Sequence, residues 1–114
     1  MTHILALDTS GTACSVALWN DSGLLLGLEE QAERQHTKRL LPMVKSLLAQ
    51  ADVQMADLQA IAYGRGPGSF TGIRIAAGVA QGLAFGLDCP VVPVSTLAAQ
   101  ALRLLHLLER PAHV

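Results

Sequence analysis

The chain has 114 residues, 51% hydrophobic and only 15% charged, with a formal net charge of −1 and a pI of about 6.4. That length suits one domain with a real core rather than two. The apolar content excludes a disordered chain, and the charge balance offers no electrostatic grip on nucleic acid. So few charges also imply that some apolar surface meets another domain or subunit.

The first residues, Met1-Thr2-His3-Ile4-Leu5-Ala6-Leu7-Asp8, have neither the basic region nor the long apolar core of a targeting segment, and the strongly apolar stretches are broken by Gly, Arg or Gln. A cytoplasmic protein with no membrane span is expected. Three strands are predicted at about 3–8, 13–19 and 24–30. Gly11-Thr12 separates the first two, and Asn20-Asp21-Ser22-Gly23 is a strong hairpin turn between the second and third. Turns this short imply an antiparallel meander. Cys14 and Cys89, each in or beside an apolar run, read as buried free thiols rather than a disulfide.

From about residue 35 the period becomes helical. Leu41, Val44 and Leu48 form one stripe, and His36, Leu40, Met43, Leu47 and Ala51 form an adjacent one. Pro42 inside this segment predicts a bend or a late helix start. A strand at 60–63 follows, then a helix at about 70–86, a strand at 91–94 and a helix at about 95–108 that Ser95 or Thr96 can cap. The order β-β-β-α-β-α-β-α predicts an α/β domain with a mixed five-stranded sheet, the ribonuclease-H-like half-domain pattern.

Tyr63-Gly64-Arg65-Gly66-Pro67-Gly68-Ser69-Phe70-Thr71-Gly72-Ile73-Arg74 joins the fourth strand to its helix. Glycines at 64, 66 and 68 permit close approach, and Pro67 stiffens the turn. A phosphate cradle at the helix N-terminus is one reading and a structural turn the other. No Lys completes a P-loop, and the third glycine of GxGxxG is missing. Arg65 and Arg74 suit an anion or a partner's carboxylate.

The helix behind this loop carries two rows of small residues at four-residue spacing: Gly72, Ala76, Ala80, Ala84, and Gly78, Gly82, Gly86. An interior glycine costs a helix roughly 1 kcal/mol relative to alanine, so the glycine row needs a compensating reason, and close approach of another backbone supplies one. Ile75, Gly78, Gly82 and Phe85 point nearly opposite to Ile73, Ala77, Ala80 and Ala84. One face can lie on the sheet. The other is covered by helix 36–50 or by a partner, and the two stripes on helix 36–50 favour a bundle in which both helices meet a partner's pair. The weight of the glycine loop thus shifts towards a tight turn that launches a helix built for close packing.

Asp8-Thr9-Ser10-Gly11-Thr12 resembles in kind the first phosphate loop of actin-like ATPases, but Asp-Thr-Ser-Gly is also an ordinary turn. The histidines at 3, 36, 106 and 113 form neither HExxH nor HxxxH, and no serine has GxSxG context, so neither a metal site nor a catalytic residue is assigned.

Ile4-Leu5-Ala6-Leu7-Asp8-Thr9-Ser10, Cys14-Ser15-Val16-Ala17-Leu18, His36-Thr37-Lys38-Arg39-Leu40-Leu41-Pro42-Met43-Val44, Gly66-Pro67-Gly68-Ser69-Phe70-Thr71-Gly72-Ile73-Arg74-Ile75 and Pro93-Val94-Ser95-Thr96-Leu97 occur in this order. Over about residues 3–100 they resemble the amino-terminal half of the bacterial TsaB (YeaZ) family, also described as M22 glycoprotease-like. The resemblance implies the ASKHA fold of actin and sugar kinases, and a non-catalytic scaffold or activator role, with no cofactor of its own, in making threonylcarbamoyladenosine in tRNA. It further implies pairing with a TsaD-like paralogue, which binds the metal and transfers the group, and assembly with a TsaE-like ATPase. In isolation it implies a homodimer through the same helical surface, with tRNA contacted only indirectly. The partner surface then falls on His36, Leu40, Met43, Leu47, Ile75, Gly78, Gly82 and Phe85, with Asp8 to Thr12 as a vestigial phosphate loop. The resemblance also implies that residues 1–114 are a single amino-terminal domain lacking the family's second one. The alternative reading is the nucleotide-binding half of an actin-like phosphotransferase.

Overall fold

The computed structural model describes residues 2–9, 13–31, 36–66 and 70–95. The helix expected at 95–108, most of the first phosphate loop (Ser10, Gly11, Thr12), and Pro67 and Gly68 of the glycine loop lie outside the described residues. Within them the order is β1 (His3–Asp8), β2 (Ala13–Asn20), β3 (Leu25–Gln31), α1 (His36–Ala51), a 3-10 turn (Met55–Asp57), β4 (Leu58–Gly64), α2 (Phe70–Leu87) and β5 (Val91–Val94). The five strands form one sheet in the order β3-β2-β1-β4-β5. β1, β2 and β3 pair antiparallel, while β4 runs parallel to both β1 and β5. This is the mixed five-stranded α/β sheet that the order of the predicted elements implies.

The β2–β3 turn shows how the local sequence sets the meander. Asn20, almost fully buried, accepts hydrogen bonds at Oδ1 from the backbone N–H groups of Ser22 (3.0 Å) and Leu24 (3.0 Å). Gly23 takes the positive φ of 101° that closes the turn. β3 then pairs with β2 from Trp19↔Leu25 to Ala13↔Gln31.

Period-two alternation sends Leu5 and Leu7 of β1, and Cys14, Val16 and Leu18 of β2, to one side of the sheet, where both helices lie. α1 covers β2 and β3, and α2 covers β4, β1 and β5. Leu40, Met43, Val44, Leu47 and Leu48 are all buried beneath α1. Most of the two predicted stripes is therefore one broad arc used on the sheet, with Leu41 left exposed at its edge. α1 starts at His36, with no late start, and carries Pro42 at an exposed position.

Both helices stop by the same device. Val53 N–H bonds the Leu48 carbonyl (3.0 Å), Cys89 N–H bonds that of Ala84 (3.0 Å), and Asp52 and Asp88 hold φ of 55° and 56°. Aspartate occupies the left-handed position where glycine is the usual choice. Arg39 clamps α1 to β3 through a two-pronged ion pair with Glu30, Nε to Oε1 at 3.1 Å and Nη2 to Oε2 at 2.9 Å. That hydrogen bonding holds the Glu30 carboxyl below its ordinary pKa. Burial, reinforced by the charge of Glu30, pushes the Cys14 thiol up. Cys14 and Cys89 are both free thiols, as expected, with Cys14 the buried one.

Candidate partner interface

The two small-residue rows of α2 meet opposite fates. Gly72, Ala76, Ala80 and Ala84 are buried against the sheet, with Ala76 and Ala80 fully inaccessible. Methyl groups and a glycine here let the helix axis approach the strands closely. Gly78, Gly82 and Gly86 face outward, and a Cβ built on any of them meets nothing within 4 Å. Phe85 stands among them at 91% exposure. Of the two covers the sequence left open for this row, α1 of the same chain is therefore not the one.

The residues assigned to a partner surface divide accordingly. Gly78, Gly82 and Phe85 are exposed together on one side of α2, while Ile75 is partly buried at its margin and packs against the core. Leu40, Met43 and Leu47 are a correction: at 0%, 1% and 0% exposure they form the interior under α1 and are closed to any partner. The physical reason is that β2 and β3 present a full apolar face, Val16 and Leu18 with Leu26 and Leu28, which takes up the whole arc of α1. Among the residues that α1 exposes, Leu41, Lys45 and Ala49 form a four-residue repeat running beside its buried arc. His36 opens α1, and its side chain lies outside what is described.

The loop residues have separate duties. Thr9, fully buried, donates its hydroxyl to the carbonyl of Gly72 in the first turn of α2. This hydroxyl, expected on a vestigial phosphate loop, is turned inward and ties the end of β1 to the start of the helix. Gly64 is a further correction, since it is the last residue of β4 rather than part of a loop. A Cβ there would sit 3.0 Å from both Cγ and Oδ1 of Asp8, so the carboxylate lies across the bare backbone of the neighbouring strand. Gly66 holds a φ of 103°, and next to it Arg65 N–H bonds the Val94 carbonyl at 2.9 Å. Asp8, Ser15, Tyr63, Gly64 and Ser95 border a shallow pocket of about 210 Å³ floored by Ala6, Ala17 and Ala62. Asp8 aside, the sequence carried no sign of this pocket, because alternating small residues on separate strands mark it only once the register is known. Among the described residues no three potential metal ligands come together, and no helix is long and apolar enough to cross a membrane.

Residues 29–113 match the family described as TsaD, tRNA N6-adenosine threonylcarbamoyltransferase. The Escherichia coli tRNA threonylcarbamoyladenosine biosynthesis protein TsaB is 54% identical over 99 residues, covering 87% of this chain and 42% of that protein. The solved structure of YeaZ from Pseudomonas aeruginosa superposes with a TM-score of 0.85 at 56% identity, over 90% of this chain and 48% of the other. Thermus thermophilus RuvC, at a TM-score of 0.58 and 15% identity, shares the ribonuclease-H-like fold alone. The chain thus spans less than half the length of the TsaB relative and the YeaZ structure. Its sheet order, its glycine-launched helix and these matches together make it a member of the TsaD family of threonylcarbamoyladenosine proteins, similar within it to TsaB.

Proposed function

We propose that the chain is a non-catalytic scaffold subunit in the making of threonylcarbamoyladenosine in tRNA, pairing with a TsaD-like paralogue through the outer face of α2. The observation that carries this reading is the bare row Gly78-Gly82-Gly86 beside Phe85 at 91% exposure. Three glycines on an outer helix face cost the lone chain helix stability and return nothing to it. They make sense where a second helix crosses closely and Phe85 finds a pocket, since burying such a side chain contributes about 1.5–3 kcal/mol. α1 joins this contact through Leu41, which is 40% exposed, instead of through Leu40, Met43 and Leu47. In isolation two copies meet by the same face. A TsaE-like ATPase joins the full assembly, and tRNA is reached through the partner.

The test is co-purification with a TsaD-like paralogue. Gly82→Leu fills the crossing and should abolish capture while leaving the circular dichroism of the chain unchanged and its melting temperature no lower. Retained capture by a folded Gly82→Leu protein overturns the interface. A second reading, the nucleotide-binding half of a phosphotransferase, draws on Asp8 at the carboxyl end of β1 beside the pocket. The inward turn of the Thr9 hydroxyl weighs against it. Micromolar binding of ATP with Mg²⁺ by this chain alone would favour that second reading.

A further inference from the structure

A buried hydroxyl meets α2 where its packing face is barest. Gly72, Ala76, Ala80 and Ala84, which α2 turns to the sheet, are too small to raise deep ridges. Ile75, Val79, Leu83 and Leu87 pack against the core along the margin of that row and resist rotation of the helix. Gly72, the buried residue of the first turn, has no side chain to key into the strands. The two ends of α2 are also anchored differently. At its C-terminal end, Cys89 N–H bonds the Ala84 carbonyl (3.0 Å), and the Pro90 carbonyl just beyond accepts the N–H of Ile61 in β4 (3.0 Å). That exit is built into the backbone of the sheet. At the N-terminal end the fully buried Thr9, just past β1, donates its hydroxyl to the Gly72 carbonyl. β1 is the middle strand of the five and so gives the tie a fixed reference.

We infer that Thr9 is a positioning residue for the outer face of α2. Its hydroxyl fixes where the N-terminal half of the helix lies over the sheet, and with it the placing of Gly78 and Gly82 on the opposite side. In a helix the Gly72 carbonyl also faces the N–H four residues on, that of Ala76. Removing the hydroxyl therefore leaves no orphaned acceptor, and what is lost is position rather than the helix ladder. Along the axis Gly78 lies about 9 Å from Gly72, and Gly86 about 21 Å. With the far end held through Cys89 and Pro90, release of the tie moves Gly78 most and Gly86 least. A close helix crossing packs at interior density and leaves no slack for that movement. The consequence for a partner rests on the reading of α2 proposed above; the hold of Thr9 on the helix does not.

The unmodified protein against Thr9→Val, and Thr9→Ser against Thr9→Ala, are two pairs that differ at the hydroxyl. Amide ¹⁵N–¹H spectra of the 114-residue chain, read across a dilution series to remove self-association, report on the glycine row. In both pairs, loss of the hydroxyl should shift the signals of Gly78, Gly82 and Gly86 in decreasing order and leave Gly23 and Gly27, beside β2, in place. Capture of a TsaD-like paralogue should weaken roughly two- to tenfold in Thr9→Val, the range set by the net worth of one hydrogen bond. Thr9→Ser should keep both the spectrum and the capture of the unmodified protein. Glycine signals that stay put in both pairs overturn the positioning role, as does a shift as large in Thr9→Ser as in Thr9→Val, which would credit the methyl group. Failure of both Thr9→Val and Thr9→Ala to fold overturns it too, since the hydroxyl would then be a requirement of folding. Shifted glycines with undiminished capture overturn the consequence for the partner alone where Gly82→Leu still abolishes capture, and the partner reading of α2 itself where it does not.

Discussion

On α2, the row Gly72-Ala76-Ala80-Ala84 and the row Gly78-Gly82-Gly86 have the same spacing and consist of small residues alone, yet one is sealed against the sheet and the other meets no neighbour among the described residues. The lesson is that a small residue has two distinct uses. In the buried row, small size sets how close helix and sheet come, so the fold depends on it. In the outer row it leaves room that nothing among the described residues fills, and only an external contact makes use of it. Substitutions in the two rows should therefore separate folding from association.

The largest effect is expected at the buried row. Ala80→Leu forces a side chain into a fully packed site and should lower stability by about 1–3 kcal/mol or more, read as a fall in the urea midpoint. If Ala80→Leu is neutral, α2 does not lie as close to the sheet as described. At the outer row the sign reverses. Gly82→Ala meets no neighbour and should raise helix stability by about 1 kcal/mol, while weakening capture of a partner. A loss of stability in the monomer would show that the row is already covered.

A smaller gain is expected where α2 ends. Asp88 occupies a left-handed backbone position and places a negative charge at the negative end of the helix dipole. Asp88→Gly removes both burdens and should add up to about 1 kcal/mol, seen as a higher melting temperature with the partner surface untouched.

The smallest effects are in the response to pH. Glu30 has a folded pKa below its unfolded value, so its contribution is present above the ordinary carboxylate range near about 4.3 and is lost as pH falls through the depressed value. Arg39→Met should flatten that acid limb of the stability profile. The thiol of Cys14 has the opposite sign. Its folded pKa is raised, so its contribution is complete below about 8.5 and is lost as pH rises through the higher value. Alkylation of the folded protein at neutral pH should accordingly modify Cys89 before the buried Cys14.

Most elements were legible because their signals are local. Asn20 to Gly23 make a turn by their own hydrogen bonds and φ preference, and β1 and β2 are short apolar runs bounded by turn residues. The interface on α1 was misread for an equally physical reason. Leu40, Met43 and Leu47 form a stripe that reads as an available face, but periodicity counts apolar residues without saying which of two neighbouring surfaces claims them. The aspartates that end both helices were missed, since a left-handed φ at Asp52 or Asp88 goes with a bond from the following residue to a carbonyl five residues before it and leaves no compositional mark.

The sequence by itself determined the order and type of the strands and helices, the glycine-dense entry to α2 and the presence of two small-residue rows, because each is encoded within a few consecutive residues. Only the tertiary structure decided which row faces the sheet, that Thr9 turns inward to Gly72, and that Gly64 makes room for Asp8. Those outcomes depend on residues far apart in the chain arriving at the same place, and on competition between surfaces for the same apolar cover. Helical spacing names the faces of α2; the sheet beneath it chooses between them.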